Sequence, residues 1–349
     1  MTISRARLIL LACASGLLYP LSFPAFDLGM VAWFALVPLH IAVEYLSPGR
    51  AFRIGWLSGT LAFTGSMFWV ITAMNVYGKV PFPIATLVML LLTVYLGLYM
   101  AVYAGGLSWI RTAFPTLGFL PAPFLWVTLE LIRTYFLSGL PWALFGYSQY
   151  QWLPIIQLAD HFGVYGVSFL LVLVNAALAE TIIWSFKAYR GFQIRSFPWP
   201  SSVAATAGFS VALFYGTTLL SSAQHVPTRT LSVGVVQPNV EQAQKWDVAF
   251  RQETMARYDR LTAGLGDNLD LIVWPEAATP FIFEMEPQYR AVVNDMARRA
   301  GAPVLFGSPA LRRHPDGRPF LLNSAYLLAT DGQILGRYDK QHLVPFGEY

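Results

Sequence analysis

Residues 269–277 read Leu269-Asp270-Leu271-Ile272-Val273-Trp274-Pro275-Glu276-Ala277. Leu271, Ile272 and Val273 make a short apolar run, rich in β-branched residues, of the kind that forms a buried strand. Pro275 has no N–H to give to a ladder, so the strand ends there. The next residue is a carboxylate, Glu276, delivered at the carboxyl end of a core strand, where open α/β folds place functional groups. A Glu in a solvated turn after a strand is the plainer reading of Pro-Glu alone. A second stretch weighs against it: Lys340-Gln341-His342-Leu343-Val344-Pro345-Phe346-Gly347-Glu348-Tyr349.

Outward from Glu276 the pattern alternates. Leu231 to Gln237 reads as a buried strand stopped by Pro238. Residues 248–263 carry Phe250, Met255 and Leu261 among charges, an amphipathic helix. Tyr289 to Ala300 is a second helix with Gly301 as its stop. Pro303 to Gly307 is a strand. Leu321 to Leu328 and Gln333 to Tyr338 form a pair turned at Thr330-Asp331-Gly332. This is an α/β layered domain over residues 225–349. Lys340 follows its last strand and so also emerges at a strand end.

The rest of the chain is different material. Of the 349 residues 56% are hydrophobic and only 12% charged, about half the usual share. Asp, Glu, Lys and Arg number 15 in residues 1–224 and 27 in residues 225–349. The first part is therefore expected to be a membrane domain. Uncharged stretches long enough to cross a bilayer recur, and about seven helices are expected. Pro20, Pro24 and Pro38 break the first two runs into a kinked hairpin. A cleavable signal peptide is the rival reading of the first run, weakened by the second run that follows Asp27 at once. Residues 134–159, with two Gly, two Pro and dense Tyr and Trp, read as a loop at the membrane interface. With the N-terminus in the cytoplasm, Arg5, Arg7, Arg50, Arg53, Arg111, Lys187, Arg190 and Arg195 flank the cytoplasmic ends. Only Lys79 and Arg133 flank the other side. That bias puts residues 225–349 outside the cytoplasm.

The formal charge of +4 divides between membrane flanks and a mixed surface, so no nucleic-acid partner is expected. A single cysteine, Cys13, excludes an intrachain disulfide framework and a Cys-rich zinc site. None of the five His residues has ligand spacing, and no metal or organic cofactor is expected. Glu130 and Arg133 are i,i+3 on one helix face and able to pair. They are either a structural pair at the membrane edge or the mark of a functional cavity. Asp160 is expected near a helix cap. Glu276 and Lys340 suit acyl transfer. A carboxylate in a partly dry site serves as general base on a thiol or hydroxyl, and an ammonium nearby stabilises a tetrahedral oxyanion. Glu348 is a candidate second carboxylate of the same pocket.

Three runs carry a resemblance: VVQPNVEQAQKW (235–246), VWPEAATP (273–280) and YDKQHLVPFGEY (338–349). They resemble the nitrilase-type domain of the apolipoprotein N-acyltransferases. ELIRTYFLSGLPWALFGYSQ (130–149) is similar to that family's loop between its fifth and sixth spans. The resemblance implies a polytopic α-helical membrane domain joined to an extracytoplasmic α/β domain of the α-β-β-α sandwich type, incomplete at its C-terminus. It implies Glu276 as general base, Lys340 as oxyanion stabiliser and Glu348 as supporting carboxylate. Trp246 and Tyr349 would line the substrate or lid region, with Arg133 and Trp142 near the membrane entrance.

The implied reaction is ping-pong acyl transfer in the bacterial inner membrane. A thiolate takes the acyl chain of a phospholipid as a thioester. The α-amine of a diacylglyceryl-cysteine at an apolipoprotein's N-terminus then takes it as an amide. A monomer with membrane lipids as its surroundings is expected. The family's cysteine nucleophile follows the GEY motif, which here closes the chain. Residues 1–349 are therefore read as the N-terminal portion of such an enzyme, not expected to turn over alone. Cys13, within an apolar run, is a structural thiol in this reading. Two other classes stay open at this point: a membrane-anchored nitrilase-type amidase using water as acceptor, and a non-catalytic lipid-binding protein.

Overall fold

A computed structural model describes residues 3–192, 196–223, 230–241, 244–341 and 343. The chain divides into two compact units, Met1–Val226 and Pro227–Tyr349.

The first unit is helical. Its α-helices are α1 (Arg5–Leu21), α2 (Val37–Glu44), α3 (Pro48–Met67), α4 (Trp69–Thr72), α5 (Phe82–Ala113), α6 (Ala122–Tyr135), α7 (Leu153–Ile156), α8 (Ala159–Tyr189) and α9 (Trp199–Ala223). Three of them, α5, α8 and α9, are long and apolar enough to cross a membrane. The bent pair Pro48–Met67 and Trp69–Tyr77, with a 47° break, makes a fourth if taken as one span. The other uncharged stretches make shorter helices. Pro20 lies at the end of the 17-residue α1, and a 3-10 turn at Gly29–Trp33 leads into α2. The unit is a multi-pass membrane bundle.

Small residues let the bundle close. A Cβ at Gly59 of α3 would lie 2.9 Å from the Gly97 Cα of α5, so the two backbones touch only because both positions lack one. Asn175 of α8 fixes the turn before α2. Its amide NH2 donates to the carbonyls of Ala32 and Leu171 at 2.8 Å, and its Oδ1 accepts the Leu36 N–H at 2.8 Å. The 134–159 stretch is an irregular segment, as its composition predicts, with 3-10 turns at Phe136–Ser138 and Phe145–Gln149 before the single turn of α7. Asp160 is near the cap, as expected, two residues after the N-cap Leu158. It lies inside the first turn of α8 and accepts from Tyr215 Oη at 3.0 Å, while Gly163 (φ +60°) breaks the helix just after it.

The second unit is one five-stranded mixed sheet in the order β1 (Val233–Val235), β2 (Leu271–Val273), β3 (Val304–Arg313), β4 (Pro319–Leu328), β5 (Ile334–Asp339). The first three strands are parallel, and β3–β4–β5 are antiparallel. Helix α10 (Arg251–Ala263) connects β1 to β2, and α11 (Pro287–Ala300) connects β2 to β3. Gly301 closes α11 in the left-handed conformation at φ +65°. Ile272, Val304, Phe306, Tyr326 and Leu328 pack against Met255, Tyr258, Val293 and Met296 of the two helices in a single core. The alternate residues Leu271, Val273, Leu305 and Leu327 point to the other face and are only half-buried, and Val233 and Val235 of β1 are exposed. Among the described residues there is one sheet with one helix layer. A register shift at Leu327/Leu328 marks a β-bulge in the β4–β5 pair.

Candidate active site

Glu276 leaves the end of β2 through a tight turn clamped to β3. Gly307 N–H donates to Pro275 O at 3.3 Å, and Gly307 O accepts from Ala278 N at 2.8 Å and Thr279 N at 3.2 Å. The clamp needs glycine: a Cβ at position 307 would lie 2.9 Å from Glu276 Cα and collide with Ala277 N. Ala277 itself is in the left-handed region at φ +48°, a strained state for a residue with a Cβ. Strain of this sort is held only where surrounding bonds over-determine it, and here they aim Glu276 off the strand end.

Three side chains converge on Glu276. Lys340 Nζ donates to Oε1 at 3.1 Å. Asn323 Nδ2 of β4 donates to the same oxygen at 2.5 Å. Lys245 Nζ donates to the Glu276 carbonyl at 3.3 Å. Lys340 and Asn323 are partners in their own right, since Lys340 N–H donates to Asn323 O at 2.9 Å and extends the β4–β5 ladder by one residue. Burial lowers the Lys245 ammonium below the ordinary lysine value, with the Glu276 charge working against that fall. Next to Lys340, Asp339 accepts from Ser324 Oγ at 2.7 Å and Arg337 Nε at 2.7 Å. It also pairs with Arg312 at 3.1 Å.

Glu276 and Lys340, 64 positions apart, thus form one pair, while Glu348 and Tyr349 lie outside the described residues. Trp246 is half-exposed, its ring centroid 6.0 Å from Lys245 Nζ. The sequence reading missed Asn323, Lys245 and Gly307. Asn323-Ser324 is a polar pair inside the apolar strand LLNSAYLL, and Lys245 adjoins Trp246 in the QKW run, so both left a trace.

In the membrane unit Arg133 and Glu130 are buried but do not close on each other, so the expected i,i+3 pairing is not formed. Each reaches instead to the loop that follows α6. Arg133 donates to Trp142 O at 2.9 Å and Ala143 O at 3.4 Å, and Glu130 Oε1 accepts the Phe145 N–H at 2.7 Å. Tyr19 Oη adds a bond to Ala143 O at 2.8 Å. Ala143 is at φ +52°. The buried charges are therefore used on loop backbone, which is how an intramembrane ionic group escapes its desolvation cost. The loop presents Trp142, half-exposed, against Trp69 at a ring distance of 4.9 Å.

Residues 15–177 match the apolipoprotein N-acyltransferase N-terminal domain, and residues 232–349 match the carbon-nitrogen hydrolase domain. The apolipoprotein N-acyltransferase of Geobacter metallireducens is 39% identical over 347 residues, 97% of this chain and 64% of that protein. The chain belongs to the apolipoprotein N-acyltransferase family. The family's enzymes from Azotobacter vinelandii and Pseudomonas aeruginosa are 33% and 31% identical, again over 97% of this chain and 64% of theirs. The chain thus spans a little under two thirds of the length of these family members.

Proposed function

We propose that this chain carries the membrane bundle and the base-bearing part of the catalytic domain of an enzyme that N-acylates lipoproteins. In this reading the bundle lies in the inner membrane and the α/β unit faces the periplasm. The observation that carries the proposal is the Lys340–Glu276 contact of 3.1 Å at the carboxyl end of a core strand. Glu276 takes the proton of a cysteine thiol as general base, and Lys340 and Asn323, both bonded to its Oε1, hold the carboxylate in orientation. The thiolate attacks the ester carbonyl of a phospholipid, a thioester forms, and a lysophospholipid leaves. Lys340 supplies positive charge where the oxyanion develops. The N-terminal amine of a diacylglyceryl apolipoprotein then takes the acyl chain as an amide. By the family resemblance Glu348 is assigned the role of supporting carboxylate and Trp246 and Tyr349 that of substrate or lid residues, with Trp142 and Arg133 assigned to the membrane entrance.

In this reading the thiol is not Cys13, which lies within the apolar helix α1 of the membrane unit. Residues 1–349 alone are accordingly expected to show no turnover. The test is intact mass of the natural-length protein after incubation with phospholipid. The expected result is one added acyl group, released by hydroxylamine, and transferred when a diacylglyceryl peptide amine is supplied. Release of free fatty acid with no amide product would replace this reading with a nitrilase-type hydrolase. A protein that never acquires the adduct would leave only a lipid-binding role.

A further inference from the structure

The Gly307 clamp leaves one group of the 275–279 turn to be held from elsewhere. Pro275 O, Ala278 N and Thr279 N all bond to Gly307 on β3, whereas the Glu276 carbonyl between them does not. Among the described residues its donor is Lys245 Nζ, at 3.3 Å and 31 positions away in the chain. The bond falls on the peptide that joins Glu276 to Ala277, the residue at φ +48°. A residue with a Cβ stays in that region only while the bonds around it hold. This peptide is the one that must turn for Ala277 to relax.

Lys245 gives up solvent to be there. Lysine side chains ordinarily keep the ammonium in water. This one is half-buried, burial works against its charge, and among the described residues it makes no ion pair. Its ammonium is held by the Glu276 carbonyl, by the charge of the Glu276 carboxylate, and by the Trp246 ring at the outer edge of cation–π range.

Lys245 also belongs to a tight turn. Its N–H donates to Glu241 O at 3.1 Å, and Asp247 N–H donates to Gln244 O at 3.1 Å. Asp247 then caps the 3-10 turn at Val248–Phe250 by accepting the Ala249 N–H at 2.9 Å. Trp246 therefore moves with Lys245 as one piece. Among the described residues the Lys245 side chain makes the one hydrogen bond between 244–247 and the 275–279 turn.

We infer that Lys245 is a positioning residue for the base: it ties the turn bearing Trp246 to the Glu276 peptide, so that the carboxylate is held in line only while that turn is docked. This role rests on the reading of Glu276 as general base. A Trp246 turn lifted to admit a bulky substrate leaves the base out of line until it returns.

Two readouts on the natural-length enzyme in detergent test this. Hydrogen–deuterium exchange reports the amides of 276–279, and thioester formation reports the base. Lys245→Met keeps the stem and removes the charge and the donors. It is expected to speed exchange in 276–279 while peptides from β4 and α11 stay as protected as before. It is also expected to slow thioester formation at saturating phospholipid roughly 10–100-fold, the contribution of one hydrogen bond from a charged group. The half-saturating phospholipid concentration should stay within about twofold, because binding is not what is lost. Lys245→Arg keeps charge and donors, and exchange and rate should recover together. A raised half-saturating concentration at an unchanged maximal rate would make Lys245 a lipid contact and overturn the proposal. A slower rate with unaltered 276–279 exchange, or recovery of one readout without the other in Lys245→Arg, overturns it as well. Exchange needs no turnover, so the two readings separate. A thioester that forms at the full rate in Lys245→Met ends this proposal and leaves acyl transfer standing. Faster exchange in an enzyme that never forms a thioester ends the acyl-transfer reading, and the role given to Lys245 with it.

Discussion

Gly307 Cα lies directly against the backbone of Glu276, close enough that a methyl group in its place would stand 2.9 Å from Glu276 Cα. The aim of the carboxylate is therefore set by a residue with no side chain, on the neighbouring strand.

Gly307→Ala is expected to push the 275–279 turn away from β3 and to cost about 1–3 kcal/mol, the usual price of overpacking. The natural-length enzyme should lose acyl transfer by more than its loss of folded protein. Urea unfolding and thioester formation measured on the same sample separate the two. Full activity in the alanine variant would show that the clamp does not position the base.

Removing the cation at Glu276 Oε1 tests the assignment of roles. Lys340→Met is expected to lower the acylation rate of the natural-length enzyme by roughly 10²–10³-fold, the range found on loss of one oxyanion donor. Glu276→Gln should lower it by about 10²–10⁴-fold. The pair acts as a unit, so the double variant should be little worse than the slower single one. Additive losses would mean that the two residues act in separate steps.

The brace on the 142–145 loop predicts a local effect. Arg133→Ala leaves the Trp142 carbonyl without its donor, while Ala143 O keeps the Tyr19 hydroxyl, at a cost of about 1–3 kcal/mol. The bundle should still fold, because Tyr19 and Glu130 hold the loop as well. Trp142 should separate from Trp69, visible as a change in tryptophan emission that a Trp142→Phe background abolishes. An unchanged spectrum would argue against the brace.

Acid stability of the α/β unit should depend on Asp339. Burial raises its carboxyl, but Ser324 and Arg337 outweigh that and Arg312 adds to them, so it is held below the ordinary Asp value of 3.8. A lowered folded-state value means the unfolded chain binds the proton first. The stabilisation is present above the ordinary value and is lost as pH falls through the lowered one. The urea midpoint of the full chain, followed by tryptophan emission, should therefore fall below about pH 4. Asp339→Asn should be less stable at neutral pH and show a shallower fall. An identical acid slope in both would assign the loss to other carboxylates.

Much of this was legible from the sequence because it rests on local patterns. Pro275 after three apolar residues, Gly301 after an amphipathic run, and Thr330-Asp331-Gly332 between two strands each announce themselves. Lys340 was legible as a strand-end residue for the same reason. What was not legible depends on contacts across the sheet. Strand β3 runs on to Arg313 and β4 starts at Pro319, because ten residues on each strand pair across a turn at 314–318. No apolar alternation marks Arg312 and Arg313. Asn323 reaches Glu276 only through that pairing. In the bundle, counting uncharged residues finds the apolar segments but not their lengths, since the 47° break after Met67 is a matter of backbone geometry. The i,i+3 spacing of Glu130 and Arg133 shows only that they are able to pair, whereas their bonds go to a loop nine to fifteen residues away.

The bulge at Leu327/Leu328 works as a counter. Between it and Lys340 the ladder advances residue by residue, Ser324 opposite Asp339 and then Asn323 opposite Lys340. Side chains on a strand alternate between faces, so one residue added to or removed from the Thr330–Gly332 turn, with no bulge to absorb it, would turn Lys340 to the far face and bring its neighbour to Glu276. Fold and chemistry would then come apart: the sheet would still hydrogen-bond, and the carboxylate would have lost its cation.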